Sequence, residues 1–304
     1  MSFALSPCAR HDRARNAGRF VMRFSIITPS FRNSAWLKLC IASVADQQGV
    51  EVEHIVQDSC SDDGTQDWLP ADPRVRPFIE KDEGMYDAIN RGLHRATGDI
   101  LAYLNCDEQY LSGALARVRD FFAAHPEIDV LFGDAILVDE HGTPLSYRRM
   151  VLPLRAHVRL VHLNTLTCST FFRRSVLNRG HFFDLRWKVI GDAAWMDGLL
   201  RAGVAMATLP EPLAAFAFTG ANLGASSSAI EEMKVLRGAA WKAVLAPLLS
   251  WHHRWRKWRA GAYASHAVAY ELYTKQSPDR RESFSHSLLG FGWPHHLAAE
   301  KTES

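Results

Sequence analysis

The chain has 304 residues, 47% of them hydrophobic and 22% charged, a balance that excludes both a disordered chain and a membrane-embedded one. Its length suits one large α/β domain with an appendage. Bases exceed acids by only two, 35 against 33, which gives no general reason to expect nucleic acid as a partner.

Residues 1–22 carry Arg10, Arg13, Arg15 and Arg19 without an apolar run, so they read as a disordered leader and not as a secretory signal. Their composition also fits an upstream start, with the natural chain beginning near Met22. Residues 24–27 then form a short buried-strand pattern ending at Thr28-Pro29, and Asn33 or Ser34 can cap a helix carrying Leu37, Ile41 and Val44. A second strand spans 52–57 and ends at Asp58. After a turn-rich segment, a third is predicted at 75–80. Met85, Ile89, Leu93 and Ala96 line one face of a helix for which Gly98 is the expected C-terminal stop. Residues 100–104 are a further buried strand, opening into Asn105-Cys106-Asp107-Glu108. A helix with Leu115, Val118 and Phe122 closes at His125-Pro126, before a strand at 130–132.

This alternation predicts an α/β fold with a mostly parallel, Rossmann-like sheet flanked by helices, because each parallel crossover needs a covering helix. Beyond it, 139–142 reads as a hairpin turn, and helices are expected near 154–163 and 192–201. One domain over 23–229 and a helical, basic, Trp-rich extension over 230–304 is the predicted division. The five cysteines are scattered, without CxxC pairs, and read as reduced thiols of a cytosolic protein.

In an open α/β sheet, ligands sit where the carboxyl ends of the strands meet diverging loops. Acids follow three of those ends here: Asp58, then Glu80 and Asp82, then Asp107 and Glu108. Carboxylates sharing a rim repel, so a basic side chain or a hard divalent cation bridging a diphosphate would explain them. The first turn, Thr28-Pro29-Ser30-Phe31-Arg32-Asn33, has no glycine, which argues against a nicotinamide dinucleotide, and there is no P-loop motif.

These segments together resemble family 2 glycosyltransferases, in particular bacterial polysaccharide enzymes with a GT-A fold. The match runs through residues 24–30, 57–65, 82–92, 96–100 and 104–108, and on to Ser169-Thr170-Phe171-Phe172-Arg173-Arg174 and Val189-Ile190-Gly191-Asp192. The resemblance implies a sugar moved from a nucleotide-diphosphate donor, a UDP-sugar by expectation, to an acceptor hydroxyl of a glycan or lipid-linked glycan, with inversion. It implies that Thr28 and Pro29 shape the nucleotide pocket and Asp58 meets the nucleobase, while Asp82, Asn90 and Asn105 serve the nucleotide, sugar or metal environment. Asp107, last acid of a D-x-D-like motif, would bind Mn2+ or Mg2+, and Asp192 would be the catalytic base. Asn105 replaces the first motif acid, and Thr167-Cys168, Ala194 and Gly198 depart from the pattern on the acceptor side. The alternative function is a non-catalytic nucleotide-sugar-binding or scaffolding protein on the same fold.

In the extension, Trp251, Trp255 and Trp258 share one helical face among Arg254, Arg256, Lys257 and Arg259. Two readings stand: a membrane interface at the inner face of the cytoplasmic membrane, or packing on the catalytic domain. No nucleic acid is expected there. The histidines, His252-His253 and His295-His296 among them, show no metal spacing and read as surface residues.

Overall fold

The computed structural model describes residues 22–218, 227–238 and 244–293. The expected leader, Cys8 and His295-His296 lie outside them.

Strand β1 (Arg23–Ser30) is followed by α1 (Ser34–Ala45), β2 (Glu51–Asp58), the short α2 (Thr65–Trp68), β3 (Arg76–Ile79), α3 (Met85–Arg95) and β4 (Ile100–Tyr103). These four strands run parallel in the order β3-β2-β1-β4. Strands β1, β2 and β4 are buried along most of their length, and Phe24, Ile26, Ile27 and Leu101 join Ile89 and Leu93 of α3 in one core. The register sets Ser30 beside Asp58 and Asp58 beside Ile79, so the strand ends are level.

Two local expectations differ from what is found. Asn33 occupies the N-cap of α1 but makes no side-chain cap; the Asp63 carboxylate accepts from Ser34 N at 2.8 Å instead. Helix α3 ends at Arg95 and passes into extended backbone at Ala96, so Gly98 is not its left-handed stop. Its reason is proximity: a Cβ there would lie 2.6 Å from Ser25 N, inside the backbone of β1.

The second half adds β5 (Glu108–Tyr110), α4 (Ala114–Ala124), β6 (Val130–Val138), β7 (Pro144–Arg148), α5 (Arg155–Leu160), β8 (Thr170–Arg173), α6 (Arg174–Asn178), α7 (Gly191–Arg201) and β9 (Met206–Ala217). Here pairing is mixed. Strand β8 lies antiparallel between β4 and β6, β9 runs parallel to β6, and β5 pairs antiparallel with β9. The expected hairpin turn is present between β6 and β7, with the Asp139 carboxylate accepting from His141 N and Thr143 N.

The extension comprises α8 (Ser227–Arg237), α9 (Ala246–Arg259) and the antiparallel pair β10 (His266–Leu272) and β11 (Glu282–Leu289). The expectation of a helical extension therefore fails in its last part. The reason is legible in β10, where Val268, Tyr270 and Leu272 alternate inward at the strand period of two. The hairpin is fastened to the body: Tyr147 N donates to Gly290 O, Tyr270 Oη to Gly142 O, and Arg281 pairs with Asp46 at 2.5 Å. A boundary at residue 230 would cut α8. No helix among the described residues is long and apolar enough to cross a membrane.

Candidate active site

The level ends of β1, β2 and β3, with the segment that follows β4, assemble one rim. Asp58, the last residue of β2, is fully buried, and its carboxylate accepts from Ser61 N at 2.8 Å and Ser61 Oγ at 2.7 Å. Ser59 N donates to Ser30 O, and Glu80 N donates to Asp58 O, which ties three loops together. Asp82 Oδ1 accepts from Gly84 N at 2.9 Å, turning the chain into α3. From β4, Cys106 Sγ reaches Pro29 O at 3.2 Å, so Pro29 and the acidic segment meet. Arg32 and Cys60 have φ of 49° and 56°, the two left-handed non-glycine residues among the described ones, and both lie in these loops.

Two other expected residues face elsewhere. The Thr28 hydroxyl is buried against His54 Nε2, at 2.9 Å, and Cys40. The Asn90 amide is engaged at both ends by the backbone of Phe183, donating to its carbonyl at 2.8 Å and accepting from its N–H at 3.0 Å. That clamp holds Phe183 stacked between Tyr86 and Trp195. Asn105 uses its backbone N–H, which donates to Glu108 Oε2 at 2.8 Å.

Asp107 makes no ion pair with any described residue, and burial raises its carboxyl above the usual range. Glu108 is buried beside it with Oε1 unpartnered; burial first, then the charge of Asp107, pushes it up to about 8. Two adjacent, cation-free carboxyls held against their ionisation are a donor set that fits a hard divalent ion.

Asp192 stands in the first turn of α7. A helix N-terminus on its own would favour the ionised form, yet the shift is upward: burial outweighs the N–H of Ala193, 2.8 Å from Oδ1, and the Tyr86 hydroxyl at 3.3 Å. Gly191 is glycine because a Cβ would sit 2.6 Å from the Tyr86 ring. Asp192 opens into a cavity with Tyr103, Thr165, Thr167 and Trp195. Burial first, then nearby Tyr86 and Asp192, holds the Tyr103 phenol well above its usual range.

Two residues here had no advance signal, Tyr86 and Glu232, while Glu108 was legible as one of the strand-end acids. Tyr86 was hidden in a helix pattern. Glu232 of α8 lies far along the chain, yet its carboxylate accepts from Lys188 N, Val189 N and Ile190 N at 2.7 to 3.0 Å, holding the entry to α7.

On the extension, Trp251, Trp255 and Trp258 are 67%, 41% and 68% exposed, while the opposite face of α9 packs inward through His253 and Lys257. The indoles therefore do not pack on the domain, and His253 is not a surface residue.

The model of the family described as Glycosyl transferase family 2 matches residues 25–180, just over half of the chain. The chain belongs to this family. Among similar proteins is a PGL/p-HBAD biosynthesis glycosyltransferase of Mycobacterium bovis, 31% identical over 178 residues, which are 56% of this family 2 chain and 66% of that protein. Solved structures share the fold. TarS of S. aureus, residues 1–349, aligns with a TM-score of 0.55 at 20% identity, covering 79% of this chain and 74% of that one, and has also been solved with UDP-GlcNAc. A mannosyltransferase of Pyrobaculum calidifontis, in complex with GDP-Man and Mn2+, aligns with a TM-score of 0.50 at 18% identity over 68% and 60% of the two chains. The fold of this family 2 chain is the GT-A fold, an α/β sheet flanked by helices.

Proposed function

We propose that this protein is an inverting glycosyltransferase that moves a sugar from a nucleotide diphosphate, by preference UDP, to an acceptor hydroxyl of a glycan or lipid-linked glycan. The observation that carries the reading is Asp192: a carboxylate that lines a cavity with Tyr103, Thr165 and Trp195 and is raised in basicity by burial.

The buried Asp58 carboxylate and the loop it orders provide the nucleobase end, with Pro29 as wall and Asp82 at the turn into α3. Thr28 and Asn90 serve that pocket by holding its framework, through His54 and Phe183 respectively. Asp107, with Glu108 and Asn105 beside it, would hold Mn2+ or Mg2+, which supplies Lewis-acid stabilisation of the departing diphosphate. Asp192 accepts the proton of the acceptor hydroxyl as that oxygen attacks the anomeric carbon. Its raised pKa suits the task, because a more basic carboxylate takes the proton earlier along the reaction. The complexes of the structural neighbours with UDP-GlcNAc and with GDP-Man and Mn2+ support such a donor and ion.

The outward tryptophan face of α9, with Arg254 and Arg259 beside it, supports a peripheral place at the cytoplasmic face of a membrane, where a lipid-linked acceptor is presented. The test is donor turnover with UDP- and GDP-sugars in Mn2+ or Mg2+, with and without excess chelator. Nucleoside diphosphate release should require the ion and fall by orders of magnitude in Asp107→Asn. Full activity in chelator, or product of retained anomeric configuration, would overturn the proposal.

A further inference from the structure

Away from the acidic rim, three imidazoles converge where the extension meets the body. His157 lies in the last turn of α5 and His162 just beyond its end, with His162 N donating to His157 O at 3.1 Å. His253 comes from the middle of α9. One ring nitrogen from each lies within 4.8 Å of the other two. The His157 and His253 rings are 4.0 Å apart between centroids, and those of His157 and His162 are 4.7 Å apart.

The two inner imidazoles are 1% and 3% exposed, and all four of their ring nitrogens lack a hydrogen-bond partner among the described residues. A buried imidazole usually satisfies at least one nitrogen, since an orphaned buried polar group costs about 1–3 kcal/mol. Two such rings, tilted 30° to one another, and a third beside them at the surface bring a nitrogen from each to within 4.8 Å. Burial first, then the neighbouring rings of the cluster and Lys257, holds all three rings below the ordinary histidine range, so they are neutral at pH 7. Neutral imidazole is the ligand form.

We propose that His157, His162 and His253 bind a transition-metal ion of the zinc type, a second metal site separate from Asp107, which fastens α9 to α5. Zinc prefers imidazole nitrogen at about 2.0–2.1 Å in tetrahedral geometry, so its ligand nitrogens stand about 3.4 Å apart. Closing the present separations to that spacing requires the three rings to turn about their side-chain bonds. The fourth position is left to water or an anion, which the cations Lys257, Arg256 and Arg148 around the cluster favour and which offsets their repulsion of the metal. An imidazole site excludes the hard Mg2+ expected at Asp107, so each site selects its own ion.

The experiment titrates the full-length, nucleotide-free protein with ZnCl2 against a chromophoric chelator at neutral pH, and with CoCl2 followed by visible absorption. Wild type should take up one equivalent of Zn2+ and gain thermal stability from it. His162→Gln, at the exposed edge where folding is unaffected, should weaken uptake at least about tenfold, as lesser disturbances of metal sites already do. His253→Gln should do the same. Asp107→Asn and His252→Gln, whose ring lies outside the cluster, should leave uptake unchanged. No uptake by wild type, equal uptake by His162→Gln, or loss of uptake in Asp107→Asn would each overturn the proposal.

Discussion

Replacing Asp192 by asparagine separates a chemical role from a structural one. The substitution keeps volume and keeps an Oδ1 able to accept from Ala193 N, now 2.8 Å away, and from the Tyr86 hydroxyl. It removes only the capacity to hold a proton. A capping role would make the change mild, because asparagine caps nearly as well as aspartate, and the structure gives Asp192 little capping to do. Ile190 is the N-cap of α7 and Glu232 takes the N–H groups just before the helix, so the one helix N–H that Asp192 accepts, from Ala193, is a bond the asparagine Oδ1 retains.

The folded pKa of Asp192 is raised, so ionising it in the native state subtracts stability as pH rises through that value. Asparagine carries no such cost, and the variant should melt at or slightly above wild type at pH 7. Turnover should fall on the order of a hundredfold, about 2.7 kcal/mol in activation free energy, with donor affinity little changed. Calorimetry with the nucleotide sugar and initial rates with acceptor measure the two quantities. A stable variant with near-normal turnover would remove Asp192 from the mechanism.

Glu232→Ala should lower kcat several-fold while leaving donor affinity near wild type, because it frees three N–H groups at the entry to α7 without touching the donor rim; unchanged kcat would show that α7 is positioned without it. For Glu108 the folded pKa of about 8 exceeds the usual glutamate value, so its contribution is complete at acid pH and is lost as pH rises from about 4.5 through 8. Glu108→Gln should therefore lose less thermal stability than wild type between pH 5 and 8, and parallel melting curves would refute the assignment. Replacing Trp251, Trp255 and Trp258 by alanine should reduce binding to anionic liposomes at low salt without changing the melting temperature, since the indoles are exposed; equal binding would refute the membrane face.

The parallel half of the fold was legible because buried strands and amphipathic helices announce themselves by period. Strands β1, β2 and β4 and helix α3 fall within a residue or two of their predicted ends. The acids at the strand ends followed from the same pattern. Legibility ended where long-range contact takes over from period. Gly98 is read locally as a helix stop, but its backbone is pressed against β1. The direction of the Asp192 shift could not be read from its place on a helix, because it depends on what α7 is packed against. The histidines are five residues apart on one side and almost a hundred away on the other, so no spacing rule reaches them. The tryptophan stripe was visible as a face, and whether it turned inward depended on the buried His253 and Lys257 opposite.

Helix α5 explains why these features belong together. It has six residues, too few to be stable alone, and packs against α7, α8 and α9 at once. Arg155 bonds Asp197 of α7 at 2.8 Å, Arg159 donates to Leu236 O of α8, and His157 meets His253 of α9. Glu232 of α8 closes the circuit by holding the turn before Asp192. The extension thus reaches the helix carrying Asp192 by two sets of contacts, one through α5 and one through Glu232. The proposed metal clamp at the α5–α9 contact would therefore act on α7, which carries the proposed base Asp192, through the side chains packed around α5.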